Sequence, residues 1–179
     1  MKWTKVRQSL QERFGESLTG RLKVHQARYG PGVSYLQRRA WITWDGIEVA
    51  SFKTATWVRE YYSLAHQIRV INQATDFQNP SQKQQYYDAY DQAGHILEQK
   101  ELYSQIQFEE AIEEYLNLSI DDALASENPL IRGLSMLDRR LGKRRLNKME
   151  IDQEHSFVQL LYRLRCEAEG LRLAEENEK

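Results

Sequence analysis

Apolar positions follow a helical period at the start of the chain, alternate as in strands between residues 21 and 52, and return to a helical period for most of the remainder. Trp3, Val6, Leu10 and Phe14 fall at i, i+3, i+7 and i+11, one face of a short helix that Gly15 can stop. From Arg21 to Tyr29 there is no helical period, and Gly30-Pro31-Gly32 then breaks the chain, so the pattern predicts a strand followed by a loop. Arg38 to Phe52 contains two β-favouring runs separated by Asp45-Gly46, whose tolerance of positive φ suits the type I′ turn of a two-residue hairpin. In that register Trp44 opposes Ile47, Ile42 opposes Val49 and Ala40 opposes Ser51 on a mostly apolar face. The other face pairs Thr43 with Glu48, Trp41 with Ala50 and Arg39 with Phe52.

After Phe52 the helical period persists. Trp57, Tyr61, Leu64, Ala65, Ile68 and Ile71 form one stripe of a long helix that must end before Asn79-Pro80. Ser81 with Gln84, and Ser104 with Gln107, have capping-box spacing and predict two further helix starts. Ser119 can cap a short helix through Leu124, and Asn128-Pro129 places a strong N-cap before a proline at the first helical position. In the helix that follows, Leu130, Leu134, Leu137 and Leu141 read as the inner face. The last helix carries Phe157, Leu160, Leu161, Leu164, Ala168 and Leu171.

These elements predict one α+β domain over residues 1–174: a helix and a small antiparallel sheet of about three strands over 1–52, then a layer of about five helices over 53–174, with 175–179 as a frayed tail. A length of 179 residues and 41% hydrophobic content suit a single unit with a real core. No stretch is apolar enough to span a bilayer and no signal-peptide pattern opens the chain, so the expected setting is cytoplasmic, without a membrane partner. A single cysteine, Cys166, on an apolar helix face reads as a packed small residue. No helical-hairpin repeat recurs at a constant period, which disfavours a solenoid.

Charge changes the picture more than composition does. Residues 129–148 hold seven bases (Arg132, Arg139, Arg140, Lys143, Arg144, Arg145, Lys148) and one acid, Asp138, whereas 101–128 hold eight acids and no base. A net charge of −1 conceals these opposed blocks. The basic cluster can serve a partner, with Arg38 and Arg39 extending the surface, or it can pair with Glu109, Glu113, Asp121 or Glu127 inside the fold. The balanced overall charge favours pairing inside the fold over a nucleic-acid surface.

Catalytic and metal-binding patterns are sparse. His25, His66, His95 and His155 lack the i, i+3 or i, i+4 ligand spacing of helical metal sites, so neither a metal nor a cofactor is indicated. His155, near the start of the last helix, suits an end-cap or a local pair with Glu154. No phosphate-cradling glycine loop and no nucleophile elbow is present. The paired acids at 109–110, 113–114 and 121–122 read as a solvated helical face.

Two segments together look familiar: the opening Met1-Lys2-Trp3-Thr4-Lys5-Val6 with Ser17-Leu18-Thr19-Gly20-Arg21 and the Trp41-Ile42-Thr43-Trp44-Asp45-Gly46 hairpin, and the late Asn128-Pro129-Leu130-Ile131-Arg132 with Leu137-Asp138-Arg139-Arg140-Leu141-Gly142-Lys143-Arg144-Arg145. They resemble a family of small uncharacterised bacterial proteins, a resemblance that implies a bacterial, cytoplasmic setting and transfers no activity. The leading expectation is a non-catalytic protein-interaction module. Arg132, Arg139, Arg140, Lys143, Arg144 and Arg145 would contact an acidic protein or a second copy, with Arg39 beside them and Trp41 as an apolar anchor. The alternatives are RNA or DNA binding through the same cluster and an enzyme with a dispersed polar site, which needs a pocket near a perturbed histidine or carboxylate.

Overall fold

Eight α-helices and a three-stranded antiparallel sheet make up the α+β fold, a computed structural model that describes residues 3–27 and 34–171. The Gly30-Pro31-Gly32 loop and the 175–179 tail lie outside the described residues. Among those described, no helix is long and apolar enough to cross a membrane. The chain divides into two compact units, each assembled from separate segments: residues 1–26, 41–51 and 107–179 in the first, 27–40 and 52–106 in the second.

In the first unit, α1 (Trp3–Arg13) buries Val6 and Leu10, as its period predicts. The sheet, whose residues 27, 39–40 and 52–53 fall in the second unit and the rest in the first, runs in the order β1 (Leu22–Ala27), β2 (Arg39–Trp44), β3 (Ile47–Lys53). Asp45 and Gly46 have φ of 48° and 85°, the two positive values a type I′ hairpin requires. Leu22, Val24, Ala40, Ile42 and Trp44 are buried on one face. The apolar face does not extend across β3: Ile47, directly after the Asp45-Gly46 turn, is 71% exposed, whereas the other edge strand, β1, buries Leu22 and Val24.

The helices of this unit are α4 (Gln105–Tyr115), α5 (Ile120–Ala125), α6 (Pro129–Met136), the short α7 (Lys143–Leu146) and α8 (Ser156–Glu169). Ser119 accepts from the Asp122 amide and Asn128 from the Leu130 amide, both N-caps as predicted. Packing of α6 on α8 depends on Gly133, since a Cβ there would stand 2.5 Å from the Phe157 ring. Gly170, with φ of 66°, closes α8 in the left-handed conformation.

One prediction about α6 needs revision. Leu130, Leu134, Leu137 and Leu141 are all buried, yet the helix stops at Met136. The Leu137 carbonyl instead accepts from the Gly15 amide (2.9 Å) and from Arg165 Nη1 (3.0 Å), and Asp138 forms a β-bridge with Phe14. Tertiary partners thus take the backbone groups that another helical turn would need.

The second unit contains a 3-10 turn (Tyr35–Gln37), α2 (Thr54–Ile71) and α3 (Lys83–Gln99). The capping box expected at Ser81 does not form: its hydroxyl donates to Asn79 Oδ1 (2.8 Å), and α3 begins two residues later with Gln82 at the N-cap.

Candidate functional site

The stretch after α6 is organised by its single acid. Asp138 is fully buried and accepts from Tyr115 Oη (2.7 Å), from Arg140 Nη2 (2.6 Å) and Nε (3.0 Å), and from the Arg140 backbone amide (2.8 Å). Burial pushes its carboxyl up, but the side-chain and backbone hydrogen bonds of Arg140 and the Tyr115 hydroxyl outweigh it and hold the group below the usual carboxylate range. Tyr115 shifts upward, chiefly through burial and also through the adjacent Asp138 charge.

A second network lies at the end of α8. Glu169 accepts from Ser17 Oγ (2.7 Å) and pairs with Lys143 Nζ (2.6 Å) and Arg165 Nη2 (2.9 Å). Burial raises the Glu169 carboxyl, whereas Lys143, Ser17 and Arg165 lower it, and the lowering dominates. Arg165 is itself buried, and its guanidinium occupies the space that a Cβ on Gly15 would need.

Most of the predicted basic surface is therefore neutralised from within. Arg132 pairs with Glu154 (3.1 Å), Arg140 with Asp138, Lys143 with Glu169, and Arg145 with Asp121. Arg139 and Arg144 are exposed and make no ion pair with a described residue. Arg39 and Trp41 are half-buried; Arg39 falls in the second unit and Trp41 in the first.

Arg139 lines an open cleft of about 620 Å³ together with Arg13, Ser9, Glu12, Glu113 and Asn117. Arg13 is anchored there: it donates to the carbonyls of Leu116 (2.7 Å) and Leu118 (3.4 Å) and lies 5.8 Å from the Tyr115 ring centre. The backbone joins the two arginines directly, since the Arg139 amide donates to the Arg13 carbonyl (2.8 Å). Two arginines and two glutamates thus line the same cleft.

The opening helix, the Asp-Gly hairpin and the basic stretch around Asp138 all carry a defined structural role. The chain belongs to the SF0329 protein family. The SF0329 family model matches residues 2–166, which include all three segments. Comparison with curated proteins and with solved structures found no match.

No histidine is among the residues that line the cleft. His155 Nδ1 accepts from the Phe157 amide (3.1 Å), the end-cap its position suggested. His25 stacks on Trp41 (5.1 Å between ring centres, 9° apart) with Nε2 2.9 Å from Thr43 Oγ1. Its pKa is lowered, first by burial and then by Lys23 and Arg7. Among the described residues no three His, Cys, Asp or Glu side chains group as metal ligands. Cys166 is buried, which raises its thiol.

Sequence reasoning missed Arg13 and Arg165 as organising residues. Each did leave a signal: Arg165 lies four residues after Leu161 on the predicted apolar face of the last helix, and Arg13 adjoins Phe14 at the predicted helix end. A base on a core stripe signals a buried partner.

Proposed function

We propose that this protein is a non-catalytic interaction module of the bacterial cytoplasm whose first unit receives an acidic protein segment at the Arg139 cleft. The observation that carries this reading is the contrast between Arg139 and its neighbours. Arg132, Arg140, Lys143 and Arg145 each have an acidic partner within the unit; Arg139 and Arg144 make no ion pair with a described residue, and of these two Arg139 lines the open cleft. Affinity for a phosphate backbone grows with the number of cations available to neutralise phosphates, and intramolecular pairing lowers that number. A single acidic side chain seated between Arg139 and Arg13 suits the cleft better, with Glu12 and Glu113 selecting against a uniformly anionic ligand. Those rim acids favour a segment in which the acid is flanked by neutral or basic residues.

The test is fluorescence anisotropy with labelled peptides carrying one central Asp or Glu, and with single-stranded RNA and DNA, across a salt series. Salt-sensitive peptide binding that Arg139→Glu abolishes supports the proposal. Peptides that do not bind at low salt overturn it, as does nucleic-acid binding that is tighter than peptide binding and is lost in Arg139→Glu/Arg144→Glu.

A further inference from the structure

The second unit carries an aromatic face that the Arg139 cleft does not explain. Helices α2 and α3 run antiparallel, because Tyr61 meets Gly94 at one end of their seam while Arg69 meets Tyr86 at the other. Ala65, Ala89 and Ala93 are fully buried, which lets the helices approach closely. Alongside lies a continuous run of rings: Tyr62 edge-on to Tyr90 (6.1 Å), Tyr90 beside Tyr86 (5.8 Å), and Tyr86 beside both Tyr87 (5.6 Å) and Phe77 (5.7 Å). Arg69 lies 4.5 Å from the Tyr86 ring centre and donates to Tyr90 Oη (3.0 Å), which holds the run in place. Tyr62, Phe77 and Tyr87 remain 54%, 48% and 50% exposed.

The exposed stripe of α3 indicates what covers this face. Lys83, Tyr87 and Asp91 are all exposed and follow one another at intervals of four residues, so they share one side of the helix. Base, ring and acid in that order form a pattern that complements itself. A half-turn about an axis through Tyr87 sets Lys83 of one copy opposite Asp91 of the other, and Asp91 opposite Lys83.

We propose that this face is the contact between two copies of the chain, with α3 lying antiparallel on the second copy's α3 and Tyr87 at the two-fold axis. Such an isologous contact uses one patch twice and closes after two copies. Three half-exposed rings supply about 300 Å² of aromatic surface per copy, against roughly 800 Å² per partner in a stable interface. The rings therefore form the dry centre, and the Lys83 and Asp91 stripe begins the polar rim. With a net charge of −1, two copies meet little overall repulsion.

The test is analytical ultracentrifugation of the full chain over a wide concentration range, comparing the natural sequence with Lys83→Asp, Asp91→Lys and the double variant. Each single reversal places two like-charged pairs in the contact and raises the dissociation constant about tenfold. The double variant restores complementarity and with it the original association. Far-UV circular dichroism checks that these surface changes leave the fold intact. A chain that stays monomeric throughout, or a dimer indifferent to the single reversals, overturns the proposal, as does a double variant no stronger than the singles. The result is independent of peptide binding by the other unit.

Discussion

Removing the Asp138 carboxylate tests whether a buried network holds the basic stretch in place. In Asp138→Ala, the hydroxyl of Tyr115, itself fully buried, loses its acceptor, and such an orphan costs about 1–3 kcal/mol. Arg140 loses its partner as well, but its side chain is one-third exposed and still reaches the Leu118 carbonyl, so water meets part of its need. The expected loss is therefore about 3 kcal/mol, the lower end for a broken buried pair. Tyr115→Phe leaves Asp138 bound to Arg140 and costs about 1.5 kcal/mol. In the double variant neither buried polar group is stranded, so its cost stays near 3 kcal/mol and the cycle shows a coupling of about 1.5 kcal/mol. Urea unfolding followed by far-UV circular dichroism measures all four proteins, with an unchanged m value marking a native-state effect. A loss under about 1 kcal/mol for Asp138→Ala, or strict additivity, refutes the reasoning. The pH dependence has a defined sign. Because the folded-state carboxyl is held below its unfolded value of about 3.9, its contribution is present above that value and disappears as pH falls through the folded one. The stability gap between the natural chain and Asp138→Asn should therefore close in acid.

Gly15→Ala should cost about 3–5 kcal/mol in the same urea assay, because the new Cβ would lie 1.5 Å from Arg165 Nη1 and force that buried guanidinium off the Leu137 carbonyl and Glu169. An unchanged midpoint would show that Arg165 has room to rearrange. Cys166 should resist a thiol-specific disulfide reagent in the native protein and react fully once unfolded, since burial both shields the sulfur and raises its pKa. With one cysteine in the chain, the absorbance change reads that residue alone; fast native-state reaction would contradict the assigned packing.

Local chemistry made some features of this fold legible and left others hidden. The type I′ hairpin, the Ser119 and Asn128 caps and the α1 face could be read because each depends on residues within a few positions of one another. The end of α6 could not, because Leu137 spends its carbonyl on Gly15 and Arg165, more than a hundred residues upstream and some thirty downstream. The same limit applies to Ser81, whose capping potential was diverted by Asn79. At the candidate site the composition of the cationic cluster was legible, but which members were already paired was not. Only the folded chain shows Lys143 meeting Glu169 and Arg145 meeting Asp121 while Arg139 is left facing a cleft.

That partition gives the opposed charge blocks a structural reason. Of the eight acids in residues 101–128, Asp121 reaches across to Arg145 and Glu113 stands at the rim of the cleft that Arg139 lines. The remaining neutralisation comes from acids outside that block: Asp138 within the basic stretch, Glu154 before α8 and Glu169 at its end. Direct block-to-block cancellation therefore explains little. The basic stretch instead acts as a junction: ionic contacts tie it to Asp121 of α5, to Glu154 before α8 and to Glu169 at the end of α8, backbone hydrogen bonding joins it to the end of α1, and its exposed remainder is small and local. On the proposed reading such a surface would discriminate by the position of individual charges rather than by bulk potential, which is why a single reversal at Arg139 is a sharper probe of the cleft than a change in ionic strength alone.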